Sequence, residues 1–150
     1  MRVVIQRVKM AEVFIDGNEK RSIKGGLLVL CGFEDADTDE DLDWIAGKIS
    51  RLRIFNDEAG VMNKSVEEIN GQVMLISQFT LFASTKKGNR PSYSFAAKPE
   101  NAMPLYRRFI DIMQNYVNKD IVTGEFGADM QITLVNDGPV TIIIDSKKKE

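Results

Sequence analysis

The chain has 150 residues, of which 28% are charged and 43% are hydrophobic, and its formal net charge is −2. This composition is ordinary for a soluble globular protein, and the length suffices for one domain, residues 1–150, whose core needs no disulfides. A net charge so close to neutral does not by itself indicate a nucleic-acid-binding protein.

Several absences narrow the chemistry further. The chain has no histidine, which excludes a Ser-His-Asp triad, a Cys-His pair and a histidine-ligated zinc ion. Cys31 is a single cysteine, so neither an intrachain disulfide nor a cysteine metal cluster can form. The sequence contains no GxxxxGKS/T or GxGxxG phosphate loop, no long apolar segment and no signal-peptide pattern. These features favour a cytoplasmic protein and disfavour a metal-dependent hydrolase.

The first third of the chain predicts strands followed by a helix. Residues 2–15 alternate as strands do, Asp16-Gly17 signals a hairpin turn, a strand follows near 21–23, and 27–31 form a short apolar strand. Thr38 is predicted to cap a helix whose first turn is acidic. The apolar stripe of this helix comprises Leu42, Ile45, Ile49 and Leu52.

The remainder of the chain predicts further strands around a second helix. In order, we expect a loop over 56–71, a long strand over 73–82, a helix over 101–117 capped by Asn101 with Pro104 in its first turn, and strands at 121–126, 130–136 and 139–145. The total is about seven strands, mainly antiparallel, and two main helices. The sequence therefore predicts a mixed α+β fold.

A basic segment stands out in the charge pattern. No Asp or Glu occurs in residues 69–99, whereas Lys86, Lys87, Arg90 and Lys98 all lie there. Such a loop suits an anionic partner such as phosphate. A solvated surface loop explains the same pattern equally well.

Two segments interrupt the expected local pattern. In Ser77–Leu81, three polar residues break an apolar strand, and they either serve chemistry or form ordinary cross-strand hydrogen bonds. Asn136–Thr141 contains Asn-Asp-Gly-Pro, which is typical of a hairpin corner. A Gly-Pro bond can also become cis at a cost of only about 0.5–1 kcal/mol, and the resulting turn can direct carbonyl oxygens outward.

These two segments resemble the signature motifs of the D-aminoacyl-tRNA deacylase family, also known as D-tyrosyl-tRNA deacylases. The motifs read SQFTLFA at 77–83 and NDGPVT at 136–141. Five further blocks match the family's pattern in order: MRVVIQRV at the start, GGLLVLCGF at 25–33, LRIFND at 52–57, GNRPSYSFAAKPE at 88–100 and TGEFGADM at 123–130. The resemblance therefore covers nearly the whole chain.

The resemblance implies a barrel-like sheet and a homodimeric, cofactor-free enzyme that cleaves the ester between a D-amino acid and the 3′ adenosine of tRNA. The family's site lies at the dimer interface. Carried over by motif, one subunit supplies Ser77, Gln78, Phe79 and Thr80, and its partner supplies Gly138 and Pro139. The carbonyls of that Gly–cis-Pro turn would hold the substrate's α-amino group. An L side chain would collide with the turn, whereas glycyl-tRNA would be accepted.

Two mechanisms remain open for such a site. Thr80 could act as the nucleophile, although no histidine is available to activate it. Alternatively, the terminal ribose 2′-OH helps to activate water while the N–H groups of Phe79 and Thr80 stabilise the oxyanion. The residue inventory favours the second mechanism.

Further roles follow from the matching motifs. Arg7 is expected to hold the Gly-Pro carbonyls from behind, with a simple salt bridge as the alternative. Phe126 and Met130 are candidates to line either the substrate pocket or the core. Lys86, Lys87 and Arg90 are candidate contacts to tRNA. All five residues lie outside the two signature motifs. Val61 and Lys64 depart from the family's pattern, which leaves the conformation of the 60–65 loop open. The rival hypothesis is a non-catalytic RNA- or ligand-binding dimer on the same fold.

Overall fold

The computed structural model describes residues 1–150, and strand β1 is the centre of its main sheet. In chain order the elements are β1 (Arg2–Ile15), β2 (Glu19–Ile23), β3 (Gly26–Gly32), α1 (Asp39–Arg51), β4 (Phe55–Asn56), β5 (Met62–Lys64), β6 (Gln72–Ser77), a 3₁₀ helix (Phe79–Phe82), α2 (Pro99–Gln114), β7 (Val122–Thr123) and β8 (Met130–Asp145). None of the helices is long and apolar enough to cross a membrane.

The main sheet has the order β2-β1-β3-β6-β7, with β8 on the other edge of β1. β1 pairs antiparallel with β2, β3 and β8, whereas β3–β6 and β6–β7 are parallel. The two end strands of this order, β2 and β7, lie close together: the Arg21 side chain on β2 donates a hydrogen bond to the Thr123 carbonyl on β7 at 2.8 Å. The predicted mixed α+β fold with a barrel-like, largely antiparallel sheet is confirmed.

Two apolar clusters stabilise this arrangement. The larger cluster has 23 buried residues and joins the sheet to both helices. The smaller has eight, contributed by β1, β2, β3 and β6. Burial of this apolar surface is the main force that holds the helices on the sheet.

The first helix matches its prediction closely. α1 begins after Thr38, whose backbone N–H donates to the Asp41 carboxylate at 2.9 Å. Leu42, Ile45 and Ile49 are fully buried, as the stripe predicts, whereas Leu52 is the C-cap and is half-buried. Acidic residues in the first turn and basic residues in the last turn both interact favourably with the helix dipole.

The predicted end of the long strand and the predicted start of the second helix are both wrong. The strand predicted over 73–82 ends at Ser77, because its parallel partner β3 ends near Cys31, and a 3₁₀ helix follows. α2 begins at Pro99 with Lys98 as its N-cap, so Asn101 lies inside the helix. Pro99 fits the first helical position, because a backbone N–H at that position would have no acceptor within the helix.

The region predicted as a 56–71 loop contains a small hairpin, β4–β5. The Asp57 carboxylate stabilises its turn by accepting N–H bonds from Ala59 and Val61 at 2.9 and 3.0 Å. Val61 is 59% exposed at this turn, and Lys64 pairs with Glu58. The strand predicted at 121–126 is also shorter than expected, since β7 comprises Val122 and Thr123 alone.

The last two predicted strands form one strand, and the Asn-Asp-Gly-Pro segment is not a hairpin corner. Both halves of β8 pair with β1: Asn136 is opposite Val8 and Thr141 is opposite Gln6. The four residues between them, 137–140, therefore bulge out of the ladder opposite Arg7. We call this bulge the corner. It displays a short turn on the surface while the strand continues in the same direction.

Candidate active site

A cavity of about 610 Å³ opens beside the end of β6. Fifteen residues line it and ten are hydrophobic, so it suits a ligand with substantial apolar surface. Five of the predicted site residues lie on this lining: Ser77, Gln78, Phe79, Phe126 and Met130. We call this cavity the pocket.

The 3₁₀ helix at the pocket edge is held tightly against β3. The Gln78 N–H donates to the Cys31 carbonyl at 2.7 Å, and Arg2 donates to the Leu81 carbonyl at the same distance. A Cβ atom on Gly32 would lie 3.0 Å from the Gln78 carbonyl oxygen and 3.1 Å from the Leu81 Cβ. A glycine at position 32 therefore permits this close approach.

Thr80 lies beside the pocket lining and is half-buried. Its hydroxyl oxygen accepts a hydrogen bond from the Gln78 side-chain amide at 2.5 Å. No carboxylate or amine in the structure accepts the Thr80 hydroxyl proton, and no Asp or Glu lines the pocket. The geometry therefore orients the hydroxyl without supplying a base to activate it.

The first turn of the 3₁₀ helix leaves two backbone donors free. The first hydrogen bond of this turn runs from the Leu81 N–H to the Gln78 carbonyl at 3.2 Å. The N–H groups of Phe79 and Thr80 precede it, and neither donates to a group within the chain. Two adjacent free donors at a pocket edge can stabilise a developing negative charge on a substrate oxygen.

The pocket also includes a segment that sequence reasoning did not assign to the site. Phe79 is 56% exposed and packs edge-on against Tyr93, with ring centroids 5.0 Å apart. The lining continues through Ala96, Ala97, Lys98, Pro99 and Ala102. The Ala97 N–H fixes this segment to the end of β3 by donating to the Phe33 carbonyl at 2.9 Å. The aromatic residues within the basic 88–100 block were the available signal.

Phe126 and Met130 also line the pocket. The Phe126 ring packs against Tyr106 at a centroid distance of 6.0 Å, and the Tyr106 hydroxyl donates to the Leu75 carbonyl at 2.8 Å. Burial raises the pKa of Tyr106 above its usual value, so this hydroxyl remains a donor. A Cβ on Gly124 would lie 2.5 Å from the Met130 sulfur, so the glycine makes room for that side chain.

Cys31 lies beneath the site and is 1% exposed. Burial raises the pKa of its thiol well above the usual value. A neutral, buried thiol is a poor nucleophile, and Cys31 instead serves as packing and as a backbone acceptor for Gln78.

The corner is held from behind by Arg7. This guanidinium is 7% exposed, and it donates through Nε to the Asp137 carbonyl at 2.7 Å and through Nη1 to the Ile54 carbonyl. The carbonyl that Arg7 holds is thus that of Asp137, whereas the sequence predicted those of Gly138 and Pro139. A salt bridge of 3.6 Å from Arg7 to the Asp137 carboxylate is also present.

Gly138 and Pro139 are exposed, and the peptide bond between them is cis. Gly138 has φ of +137°, a conformation that side chains rarely adopt. A Cβ there would also lie 3.0 Å from Val140 and 3.1 Å from Arg7. No residue of the corner lines the pocket of the same chain.

The candidate phosphate-binding residues lie outside the pocket. Lys86, Lys87 and Arg90 are all exposed on the loop that follows the 3₁₀ helix, and none of them forms an ion pair. Lys98 brings one positive charge to the lining itself. The structure contains no cluster of three or more His, Cys, Asp or Glu residues arranged to hold a metal ion.

Comparison with known proteins gives a consistent result along the whole chain. Residues 4–145 match the model of the family described as D-Tyr-tRNA(Tyr) deacylase. A protein of Parabacteroides distasonis named D-aminoacyl-tRNA deacylase is 60% identical over 150 residues, which is all of both chains. A protein of Flavobacterium johnsoniae with the same name is 57% identical, again over the full length of both.

Solved structures show the same fold. One titled c-Myc DNA Unwinding Element Binding Protein has a TM-score of 0.91 and 38% identity, and the match covers 97% of this chain and 98% of that one. A probable eukaryotic D-amino acid tRNA deacylase has a TM-score of 0.81 at 19% identity, covering 95% and 97% of the two chains. The motifs, the fold and the full-length relatives agree, and this chain belongs to the D-Tyr-tRNA(Tyr) deacylase family.

Proposed function

We propose that this protein hydrolyses the ester bond of D-aminoacyl-tRNA in the cytoplasm and releases the free D-amino acid and tRNA. The observation that carries the proposal is the full-length identity of 57–60% to relatives named D-aminoacyl-tRNA deacylase. The pocket supports it, since its apolar lining and its edge of Ser77, Gln78 and Phe79 suit an aminoacyl group attached to a nucleoside.

The complete site is proposed to form between two copies of the chain. The pocket and the corner are separate features of one protomer, and a two-fold dimer would place each corner over the partner's pocket. Large apolar side chains near the pocket are exposed and need a cover: Phe79 is 56%, Tyr93 41% and Phe95 64% exposed. Val135, two residues before the corner, is 47% exposed. Exposed apolar groups at both features favour burial against a second copy.

Selection of the D configuration is proposed to rest on the main chain of the corner. Gly138 and Pro139 would present their carbonyl oxygens to the substrate's α-amino group. With that group fixed, an L side chain would point into the corner and be rejected, whereas a D side chain would point away. Glycine has no side chain to reject, so glycyl-tRNA should also be hydrolysed.

The proposed chemistry is hydrolysis assisted by the substrate. The Thr80 hydroxyl oxygen is engaged by the Gln78 amide and lacks a base, which argues against a Thr80 nucleophile. We infer that the terminal ribose 2′-OH helps to activate water. The free N–H groups of Phe79 and Thr80 would stabilise the oxyanion. Lys86, Lys87 and Arg90 are the proposed contacts to tRNA phosphates.

The direct test measures release of labelled amino acid from D-aminoacyl-, L-aminoacyl- and glycyl-tRNA in the presence of a chelator. We expect rapid release from the D and glycyl substrates and none above background from the L substrate. Binding of tRNA without release from any substrate would instead support a non-catalytic RNA-binding dimer. Activity lost on adding chelator and restored by a divalent metal would support a metal-dependent hydrolase.

A further inference from the structure

One side of the pocket is formed by a segment with little regular structure of its own. Residues 124–130, which we call the pocket wall, connect β7 to β8 and contribute Phe126, Gly127, Ala128 and Met130 to the lining. Between residues of the wall itself, a backbone hydrogen bond runs from the Ala128 N–H to the Glu125 carbonyl at 3.2 Å. Contacts from other elements must therefore fix its position.

At its start, the wall is held by the Gly124 N–H, which donates to the Leu75 carbonyl on β6 at 3.1 Å, and by Arg21 on β2. Its Nη1 donates to the carbonyls of Thr123 and Gly124 at 2.8 and 3.2 Å, where the wall begins. Its Nη2 lies 3.5 Å from the Glu125 carboxylate. Glu19 orients the guanidinium by accepting from Nε at 2.7 Å. This use of several donors at once suits the planar fork of arginine and not the single ammonium of lysine.

The second contact comes from Asp16, in the turn between β1 and β2. The Asp16 N–H donates to the Asp129 carbonyl at 2.9 Å, and the Asp16 carboxylate accepts from the Asp129 N–H at 3.0 Å. Asp16 has φ of +47° in its Asp-Gly turn, a conformation that Asp tolerates better than most residues. This reciprocal pair fixes the other end of the wall, one residue before Met130.

We propose that Arg21 and Asp16 are positioning residues that set the shape of the substrate pocket. Neither lines the pocket, so each acts through the wall. Both belong to one hairpin, whose strands pair in register from Ala11–Ile23 to Ile15–Glu19, so the two contacts hold both ends of the wall to one rigid unit. The inference rests on the proposed function for the identity of the ligand.

Kinetics on D-aminoacyl-tRNA test the consequence for the site. Arg21→Ala should raise KM about tenfold and change kcat by less than about threefold, because a displaced wall weakens binding more than chemistry. Asp16→Ala should act in the same direction, and Asp16→Asn, which keeps an acceptor oxygen and tolerates the turn, should restore most of the loss. Lys20→Ala is the matched control, since Lys20 lies on the same hairpin, is 61% exposed and pairs with Glu12 away from the wall.

Amide hydrogen exchange tests the contact independently of activity. In Arg21→Ala, the amides of residues 122–130 should exchange faster than in the wild type, while those of α1 and α2 stay unchanged. Unchanged exchange in 122–130 would overturn the proposal, and so would faster exchange with an unchanged KM. If Arg21→Ala fails to fold, Arg21→Lys provides the same comparison. An inactive wild type would count against the proposed function alone, and the exchange result would still decide whether the hairpin holds the wall.

Discussion

The role of the Thr80 hydroxyl distinguishes a Thr80 nucleophile from hydrolysis assisted by the substrate. If the hydroxyl only orients neighbouring groups, Thr80→Ala should lower kcat about tenfold or less and leave KM near the wild-type value. A nucleophile would instead be indispensable, and its removal would abolish turnover while binding persisted. Single-turnover kinetics make the distinction, with Thr85→Ala as the control, because Thr85 is exposed on the following loop.

The substitution Gly124→Ala tests how closely the pocket lining is packed. An alanine there would place its Cβ 2.5 Å from the Met130 sulfur and 3.0 Å from the Ile76 Cδ1. Because a methionine side chain is flexible, it should move toward the pocket, so KM should rise several-fold while the free energy of unfolding falls by about 1 kcal/mol.

Steady-state kinetics and urea denaturation measure both effects of Gly124→Ala. Gly25→Ala is the matched control, since the nearest atom to its Cβ would be 3.9 Å away. An unchanged KM for Gly124→Ala would mean that Met130 does not shape the bound substrate's space.

Individual site residues differ in how far the sequence reveals them. Ser77 and Gln78 could be found because polar residues inside an apolar strand are costly unless they have a purpose. For Tyr93, the aromatic character of the 88–100 block is the only sequence signal. Ala97 has none, because it lies in a loop without periodicity and is placed by its long-range hydrogen bond to Phe33. Arg7 was predicted to support the corner, but only the structure shows that it binds the Asp137 carbonyl.

At the scale of elements, local signals predicted helix α1 better than the strands. The Thr38 cap and the acidic first turn of the helix depend only on a few neighbouring residues. The continuity of β8 through the corner depends on pairing with β1, more than 120 residues away in sequence, and no local pattern reports it. Taken alone, the Asn-Asp-Gly-Pro signal therefore predicts a hairpin.

The cap of α1 also predicts a dependence of stability on pH. Desolvation opposes ionisation of Asp41, but hydrogen bonds from Lys147 and Thr38 outweigh it and hold the pKa of this carboxyl well below its usual range. A lowered folded-state pKa stabilises the protein above the unfolded-state value, and this contribution is lost as the pH falls through the folded-state pKa.

Asp41→Asn should therefore lower the free energy of unfolding by about 1 kcal/mol at neutral pH. The difference from the wild type should be constant above about pH 5 and narrow below about pH 4. Denaturant unfolding across this range measures it, with Glu40→Gln in the same helical turn as the control. A difference that grows toward acidic pH would contradict the assignment.

At the scale of the whole molecule, the fold follows from the sequence, whereas the complete site does not. Alternating strands, capped helices and the absence of histidine restrict fold class and chemistry. The meeting of corner and pocket would require a second chain, and no single sequence pattern specifies how two copies pack. The exposed apolar side chains around the pocket are the observation that supports the proposed second chain.

The proposed dimer makes a simple prediction about mass. Sedimentation should give a particle of twice the 16.9 kDa of one chain. Phe95→Asp should shift it toward the monomer and lower activity in parallel, because Phe95 is 64% exposed and its charge would be buried only in the dimer. Val61→Asp, at a side chain 59% exposed on the β4–β5 turn, should leave the mass unchanged. A monomeric and fully active wild type would contradict the dimer.

Mixing two defective variants tests most directly whether one protomer's corner completes its partner's pocket. Ala96→Trp should fill the pocket, and Gly138→Val should distort the corner, where a Cβ would meet Val140 and Arg7 at 3.0 and 3.1 Å. Each variant alone should be nearly inactive on D-aminoacyl-tRNA. Refolded together, half of the dimers would be mixed and each would contain one intact site, so activity should return to about a quarter of the wild type. A mixture no more active than the mean of its two components would contradict a site shared between protomers.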